Sequence, residues 1–158
     1  MNNKVIETPE ILNGRKMVHH YVIDISLENQ KALEIPQIIA QQQEEPKVST
    51  DIEVKYRLVN PDQNLYEIIV SLKLLLKSQD DPFFIMSIDY AGLFKIQVES
   101  EEELKYKMLV DCPHDIFPYI RALVTLNTAN TGFAPINIPH IDFANMYQQQ
   151  QNQQPQQS

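Results

Sequence analysis

Residues Cys112 to Gly132 read CPHDIFPYIRALVTLNTANTG. Ile116, Phe117, Tyr119, Ile120, Ala122, Leu123, Val124 and Leu126 fall within eleven positions, broken only by Pro118, Arg121 and Thr125. A helix on the surface of a monomer keeps a polar face, whereas one apolar nearly all round is buried on more than one side. The stretch therefore predicts a helix packed on the rest of its chain on one side and on another subunit on the other. Pro118 is compatible with a helix that starts at an Asp115 N-cap. It then falls in the first turn, where backbone N–H groups have no intrahelical partner. Asn127, Asn130 and Gly132 predict the stop, with Pro135 beyond.

Upstream, the pattern changes to period two. In 17–28, Tyr21, Ile23, Ile25 and Leu27 alternate with Val22, Asp24, Ser26 and Glu28, which predicts a strand with one dry face. The clearest strand is 48–60, with Val48, Thr50, Ile52, Val54, Tyr56 and Leu58 on one side. Turn residues at 60–64 and 78–82 separate it from strands at 65–77 and 83–97, the last with a bulge or bend expected at Gly92. Strands with one apolar face and short turns imply an antiparallel sheet covered on one side. The cover follows in sequence. Ser100–Glu103 matches a capping box, then comes the central helix, then a short helix at 142–150 with Phe143, Met146 and Tyr147 on one face. Strands followed by helices give an α+β fold: a four-stranded antiparallel sheet with helices packed on one face. Residues 1–16 read as a flexible arm, 17–147 as a single domain, and the Gln-rich 148–158 as a disordered tail.

Composition excludes several functions. The chain has 158 residues, 21 acidic against 13 basic, and a net charge of −8. Nucleic acid demands a basic footprint, and an anionic membrane surface likewise. No run approaches the ~18 apolar residues of a membrane span, and the first residues lack the apolar core of a signal peptide. With one cysteine and three glycines, neither an internal disulfide nor a phosphate-cradling loop is expected. A cytoplasmic protein with no cofactor and no metal of its own is the simplest account.

Cys112 stands beside a helix start with His114 two residues on, which suggests a thiol nucleophile. Neighbouring residues seldom meet in nucleophile–base geometry, so a buried thiol is the simpler reading and catalysis is not expected. His19 and His20 point to opposite faces of a strand and cannot chelate together. The remaining candidates are surfaces. Asp24 and Glu28, with Asp51, Glu53, Asp89 and Ile85, outline a flat acidic plate with an apolar spot, suited to a basic partner. The aliphatics of the long connection 29–47, namely Leu33, Ile35, Ile38 and Ile39, and the last helix are placed to line an apolar groove for extended peptide.

The run from Cys112-Pro113 through Ile116-Phe117-Pro118-Tyr119 and Arg121 to Gly132-Phe133, Pro135-Ile136-Asn137-Ile138-Pro139, Asp142-Phe143 and Tyr147 closely resembles the most characteristic block of the SecB family of bacterial protein-export chaperones. Asp24-Ile25-Ser26-Leu27-Glu28, Tyr66-Glu67 and Gly92-Leu93-Phe94 fit the same family in the same order, so the match spans roughly 18–148. The resemblance implies an ATP-independent holdase, a homotetramer built as a dimer of dimers with the long helices at the dimer–dimer interface. Cys112, Phe117, Ile120 and Val124 are the interface positions expected on that helix. It implies binding of unfolded preproteins, with Ile35, Ile38, Ile39, Phe143, Met146 and Tyr147 as groove residues. It implies delivery to the SecA ATPase, whose basic zinc-binding tail docks on the acidic face at Asp24, Glu28 and Ile85. The family's acidic residue two positions after Ile85 is Ser87 here, which leaves Asp89 to compensate. Some SecB-like proteins instead serve one toxin–antitoxin pair, which is the alternative function; a Cys112-dependent enzyme is the other.

Overall fold

Period-two alternation continues through four long strands: β1 (Arg15–Asn29), β2 (Lys47–Asn60), β3 (Leu65–Ser78) and β4 (Asp81–Ile96). The computed structural model describes residues 11–41, 47–78 and 80–153. The strands form one antiparallel sheet in the order β1-β4-β3-β2, so β1 and β2 are its edges. Between β1 and β2 lie a 3₁₀ turn (Ala32–Glu34) and the short helix α1 (Ile35–Gln41). All the helical cover lies on one face, as expected for the α+β fold.

That cover is α2 (Glu101–Tyr106), a π-helical stretch (Lys107–Asp111), α3 (Cys112–Thr128) and α4 (Phe143–Gln153). The Ser100 cap forms, but the return contact of the capping box falls one residue early, on Glu99. Ser100 Oγ accepts from the Glu103 N–H at 3.1 Å, and Glu103 Oε2 accepts from the Glu99 N–H at 3.3 Å. The start expected at Asp115 is absent. Backbone angles stay right-handed helical across the junctions at Lys107 and Cys112, so α2, the π stretch and α3 form one rod. Pro113 has no N–H and its ring would strike the carbonyl four residues back. The wider π turn just before it, closed by the Cys112 N–H to the Lys107 carbonyl, removes that clash. Pro118 sits inside α3 with its ring exposed. Asp115 pins the rod to β1 instead of capping it: Arg15 donates to its two carboxylate oxygens at 2.7 and 2.9 Å.

β3 and β4 carry the core. Ile68, Val70, Leu72, Leu74, Met86, Ile88 and Phe94 are buried under Ile116, Phe117, Ile120 and Val124 of α3. Gly92 makes no bulge; it stays in register opposite His20 and Ile68. A Cβ there would lie 2.5 Å from the Phe94 ring and 3.1 Å from Ile116, so the glycine is what lets the helix approach. The strap 133–142 runs back along α3. Thr128 Oγ1 accepts from the Ile136 N–H at 2.9 Å, Thr125 Oγ1 donates to the Ile136 carbonyl at 3.1 Å, and Ile138 is buried. Phe143 ends the strap edge-on to Phe117 at 5.7 Å.

β1 departs from simple alternation. Its register against β4 shifts between Met17 and His19 and again between Val22 and Asp24. The second shift reverses the facing, so Tyr21 shares the outer face with Asp24, Ser26 and Glu28, while Val22, Ile25 and Leu27 lie on the helical face. The boundaries of the chain segments also move. Arg15 and Lys16 belong to β1 rather than to the arm, and α4 takes Gln148–Gln153 from the expected tail, glutamine being a good helix former. Residues 1–10 and 154–158 of those two segments lie outside the described residues.

Candidate functional site

The helical cover is narrower than the sheet. On β2, Ile52, Val54, Tyr56 and Leu58 stand opposite the buried Leu72, Val70 and Ile68 and the half-buried Tyr66. Yet Tyr56 and Leu58 remain 45% and 50% exposed. Ile52 and Val54 line a cavity of about 200 Å³ with Leu109, Phe143, Met146 and Tyr147, rimmed by Glu53 and Gln150. Tyr106 stands edge-on to Tyr147 at 5.6 Å. At the other end of the row, Tyr66 and Leu104 belong to a second cavity, about 420 Å³, closed by Ile96, Val98 and the Ser100 cap. From Ile52 to Leu58 is six residues of strand, roughly 20 Å at about 3.3 Å per residue. Among the described residues, the outer backbone edge of β2 has no strand beside it. An apolar trough beside a free strand edge can take an extended peptide by adding a strand and seating alternate side chains.

Of the expected groove residues, Phe143, Met146 and Tyr147 meet in one cavity, and Ile35, Ile38 and Ile39 are not among its lining residues. Ile35 is buried, its side chain 3.4 Å from where a Cβ on Gly132 would be. Ile38 is half-buried, and Ile39 is exposed. The residues missed by the sequence reading are Ile52, Val54, Tyr56, Leu58 and Leu109. The periodicity of the first four was visible in β2, but nothing in it reveals which part of an apolar row the helices leave uncovered.

The other side of the cover is also open. On β1, Val22, Ile25 and Leu27 are exposed next to the buried Tyr90, Ile88 and Met86. On α3, Pro118, Tyr119, Ala122 and Leu126 are exposed, Leu126 by 64%. The interface positions expected on this helix need correcting. Cys112, Phe117, Ile120 and Val124 are at most 1% exposed, packed into their own sheet, and cannot present a surface to a second chain. The helix is apolar on two sides as read, but the free side is the Tyr119–Leu126 side. Burial pushes the Cys112 thiol well up, with Asp115 adding to the shift, so the thiolate is disfavoured. His114 is near His140 on the strap, at 5.1 Å between rings.

The outer sheet face gathers the expected docking residues. Asp24 lies directly across from Asp89, Ser26 from Ser87, and Glu28 from Ile85. In β3 and β2 the same rows continue as Ser71 and Glu53, Lys73 and Asp51, and Leu75 and Ser49. Asp89 is thus one row away from Ser87 on the same face. Further along, Glu67 is buried at the surface by the Tyr21 hydroxyl and by Arg57, whose Nε donates to it at 2.7 Å. Burial works to raise the Glu67 pKa; the hydrogen bonds from Tyr21 and Arg57 and the Arg57 charge outweigh it and leave it lowered. Tyr21 in turn is raised by that hydrogen bond and by burial. His19 and His20 do point to opposite faces: His19 lies tilted beside Tyr21 at 5.3 Å between rings, while His20 stacks on Tyr119 at 4.1 Å. Among the described residues no three His, Cys, Asp or Glu side chains gather as a metal site, and no helix is long and apolar enough to cross a membrane.

A sequence profile described as preprotein translocase subunit SecB matches residues 12–154. The Protein-export protein SecB of Parvibaculum lavamentivorans is 29% identical, over 94% of this chain and 83% of the relative. Those of Orientia tsutsugamushi strain Boryong and Rhodopseudomonas palustris are 34% and 31% identical, over 78% and 87% of this chain and 75% and 84% of theirs. Among solved structures, a SecB-like chaperone of Mycobacterium tuberculosis in complex with a ChAD peptide from an antitoxin has the same fold. It superimposes with a TM-score of 0.66 at 15% identity, over 80% of this chain and 90% of that one.

Proposed function

The chain belongs to the SecB family of protein-export chaperones, and from that premise we propose how its surfaces divide the work. The groove beside β2 holds unfolded precursor proteins. A client segment adds to the free edge of β2 and seats apolar side chains along Ile52, Val54, Tyr56 and Leu58, with Met146 and Tyr147 as the wall. The observation that carries this is the exposure of an apolar strand row next to a cavity on a free sheet edge. Contiguous exposed apolar surface on a soluble protein marks an interaction site. Backbone pairing supplies affinity that no particular client sequence is needed for, which suits a holdase working without ATP and without catalysis.

The second open surface supports a homotetramer. The exposed Val22, Ile25 and Leu27 of β1 and the Tyr119, Ala122 and Leu126 side of α3 form the apolar area that subunits would cover. Several grooves on one particle then raise avidity from weak single contacts. The acidic outer face, at Asp24, Glu28, Ile85 and Asp89, takes the basic zinc-binding tail of SecA, so that loaded clients reach the export ATPase from the cytoplasm. Residues 17–147, with α4 extended to Gln153, act as one domain.

The test is aggregation of an unfolded precursor at stoichiometric chaperone. Wild type should suppress it; Tyr56→Glu with Leu58→Glu should lose most of that suppression while keeping the native circular dichroism. Failure of the wild-type protein would overturn the reading. Dedication to one toxin–antitoxin pair, the alternative, predicts toxin-dependent growth arrest rather than general export defects when the gene is deleted.

A further inference from the structure

Two like-charge pairs break the usual rules of strand pairing on the outer face. Asp24 sits directly across from Asp89, and Lys16 directly across from Lys95. Like charges placed opposite one another weaken a sheet, and local rules are broken most often where function requires it. The alternation Asp89, Ala91, Leu93, Lys95 puts both pairs on the same face of β4. They are six positions apart, roughly 20 Å at about 3.3 Å per residue. Between them lie Ala91 and Leu93 on β4, with Tyr21 and His19 across on β1, an apolar and aromatic stretch. Two ion pairs of this face, Arg57–Glu67 and Lys55–Glu53, lie on the β2–β3 side. Among the described residues, Lys95, Asp24 and Asp89 are left without an opposite charge.

We propose that the β1–β4 half of the outer face docks an extended partner segment carrying a basic cluster at one end and an acidic cluster about six residues along, so that it binds in one direction only. The basic cluster meets Asp24, Asp89 and Glu28, the acidic cluster meets Lys95, and an apolar side chain between them rests on Leu93 and Tyr21. This rests on the reading of the acidic end as the seat of a basic tail, and adds a second charged seat with a fixed spacing. Charge complementarity of this kind sets register and rejects wrong partners more than it adds raw affinity.

Three synthetic peptides test it by calorimetry at physiological salt: a basic block alone, a basic block with an acidic block six residues away, and the same composition with the two blocks adjacent. At that salt, charges are screened over about 8 Å, so changes at Lys95 do not reach the acidic end. On the wild-type protein the spaced peptide should bind several-fold to about tenfold tighter than the basic block. The adjacent-block peptide should show no such gain. Lys95→Gln should reduce the gain and Lys95→Glu abolish it, both leaving the basic block unaffected. A spaced peptide with no gain, or a gain retained in Lys95→Glu, overturns the inference while the acidic seat stands. Loss of binding by the basic block itself overturns the acidic seat and the inference together. A change of oligomeric state in Lys95→Glu would show that a second copy occupies the face, and would also overturn it.

Discussion

Glu67 shows how one residue can fasten three strands. It sits on β3, receives the Tyr21 hydroxyl from β1 across β4, and is clasped by Arg57 from β2. A carboxyl held below its ordinary value of 4.5 contributes stability that is complete above that range. The contribution is lost as pH falls through the lowered value. Glu67→Gln should therefore cost about 1–3 kcal/mol at neutral pH, because the amide removes the charge and sets an NH2 group against one of the two donors, Tyr21 or Arg57. It should also flatten the acid limb of a pH–stability curve measured by urea denaturation. At Gly92 the issue is space. Adding one methyl group meets the Phe94 ring and Ile116, and overpacking of this sort costs about 1–3 kcal/mol. Gly92→Ala should show that loss in the same measurement. Cys112 is fully buried and its thiol is pushed up, so a thiol reagent should label it only on unfolding. Rapid labelling of the native protein would contradict its placement in the core.

Among the elements, strands were the most legible. Runs such as Ile52, Val54, Tyr56 and Leu58 alternate cleanly because each strand has one covered face, and their ends fell within two or three residues of expectation. Bulges are another matter. A bulge adds one residue without any particular side chain to mark it, so the reversal at Val22/Asp24 that puts Tyr21 beside Asp24 could not be read from 17–28. The entrance of α3 was hidden for a similar reason. Pro118 pointed to a new helix start at Asp115, but a π turn lets the preceding helix continue through Pro113. The same helix shows what periodicity leaves open: it marked two apolar sides without telling which faced its own sheet, and Cys112, Phe117, Ile120 and Val124 proved to be the inner one. The strap gives an element-scale prediction. Thr128 is buried and bonds both the Val124 carbonyl and the Ile136 N–H. Thr128→Val should release the strap and loosen α4, lowering client affinity by more than it lowers global stability, as read by fluorescence binding alongside denaturation.

At the scale of the whole molecule, the organising fact is a sheet wider than its helical cover. The middle strands β3 and β4 are sealed, and both edge strands leave apolar rows uncovered on the helical face, β2 beside the α4 cavity and β1 beside α3. One uncovered row suits clients and the other suits subunits, while the outer face keeps its charge. Mass measured in solution should be close to four times the 18.4 kDa of one chain. Leu126→Asp, on the free side of α3, should dissociate that assembly without unfolding the chain; Phe117→Asp, on the inner side, should unfold it.

The central claim, that an unfolded client lies along β2, is tested most directly by amide hydrogen exchange with and without an unfolded precursor. The account predicts added protection in β2 (Lys47–Asn60) and α4 (Phe143–Gln153), strongest at alternate amides of β2 whose free edge would pair with the client. Unchanged exchange in β2, with protection confined to the outer-face residues of β1 or to α1, would contradict it.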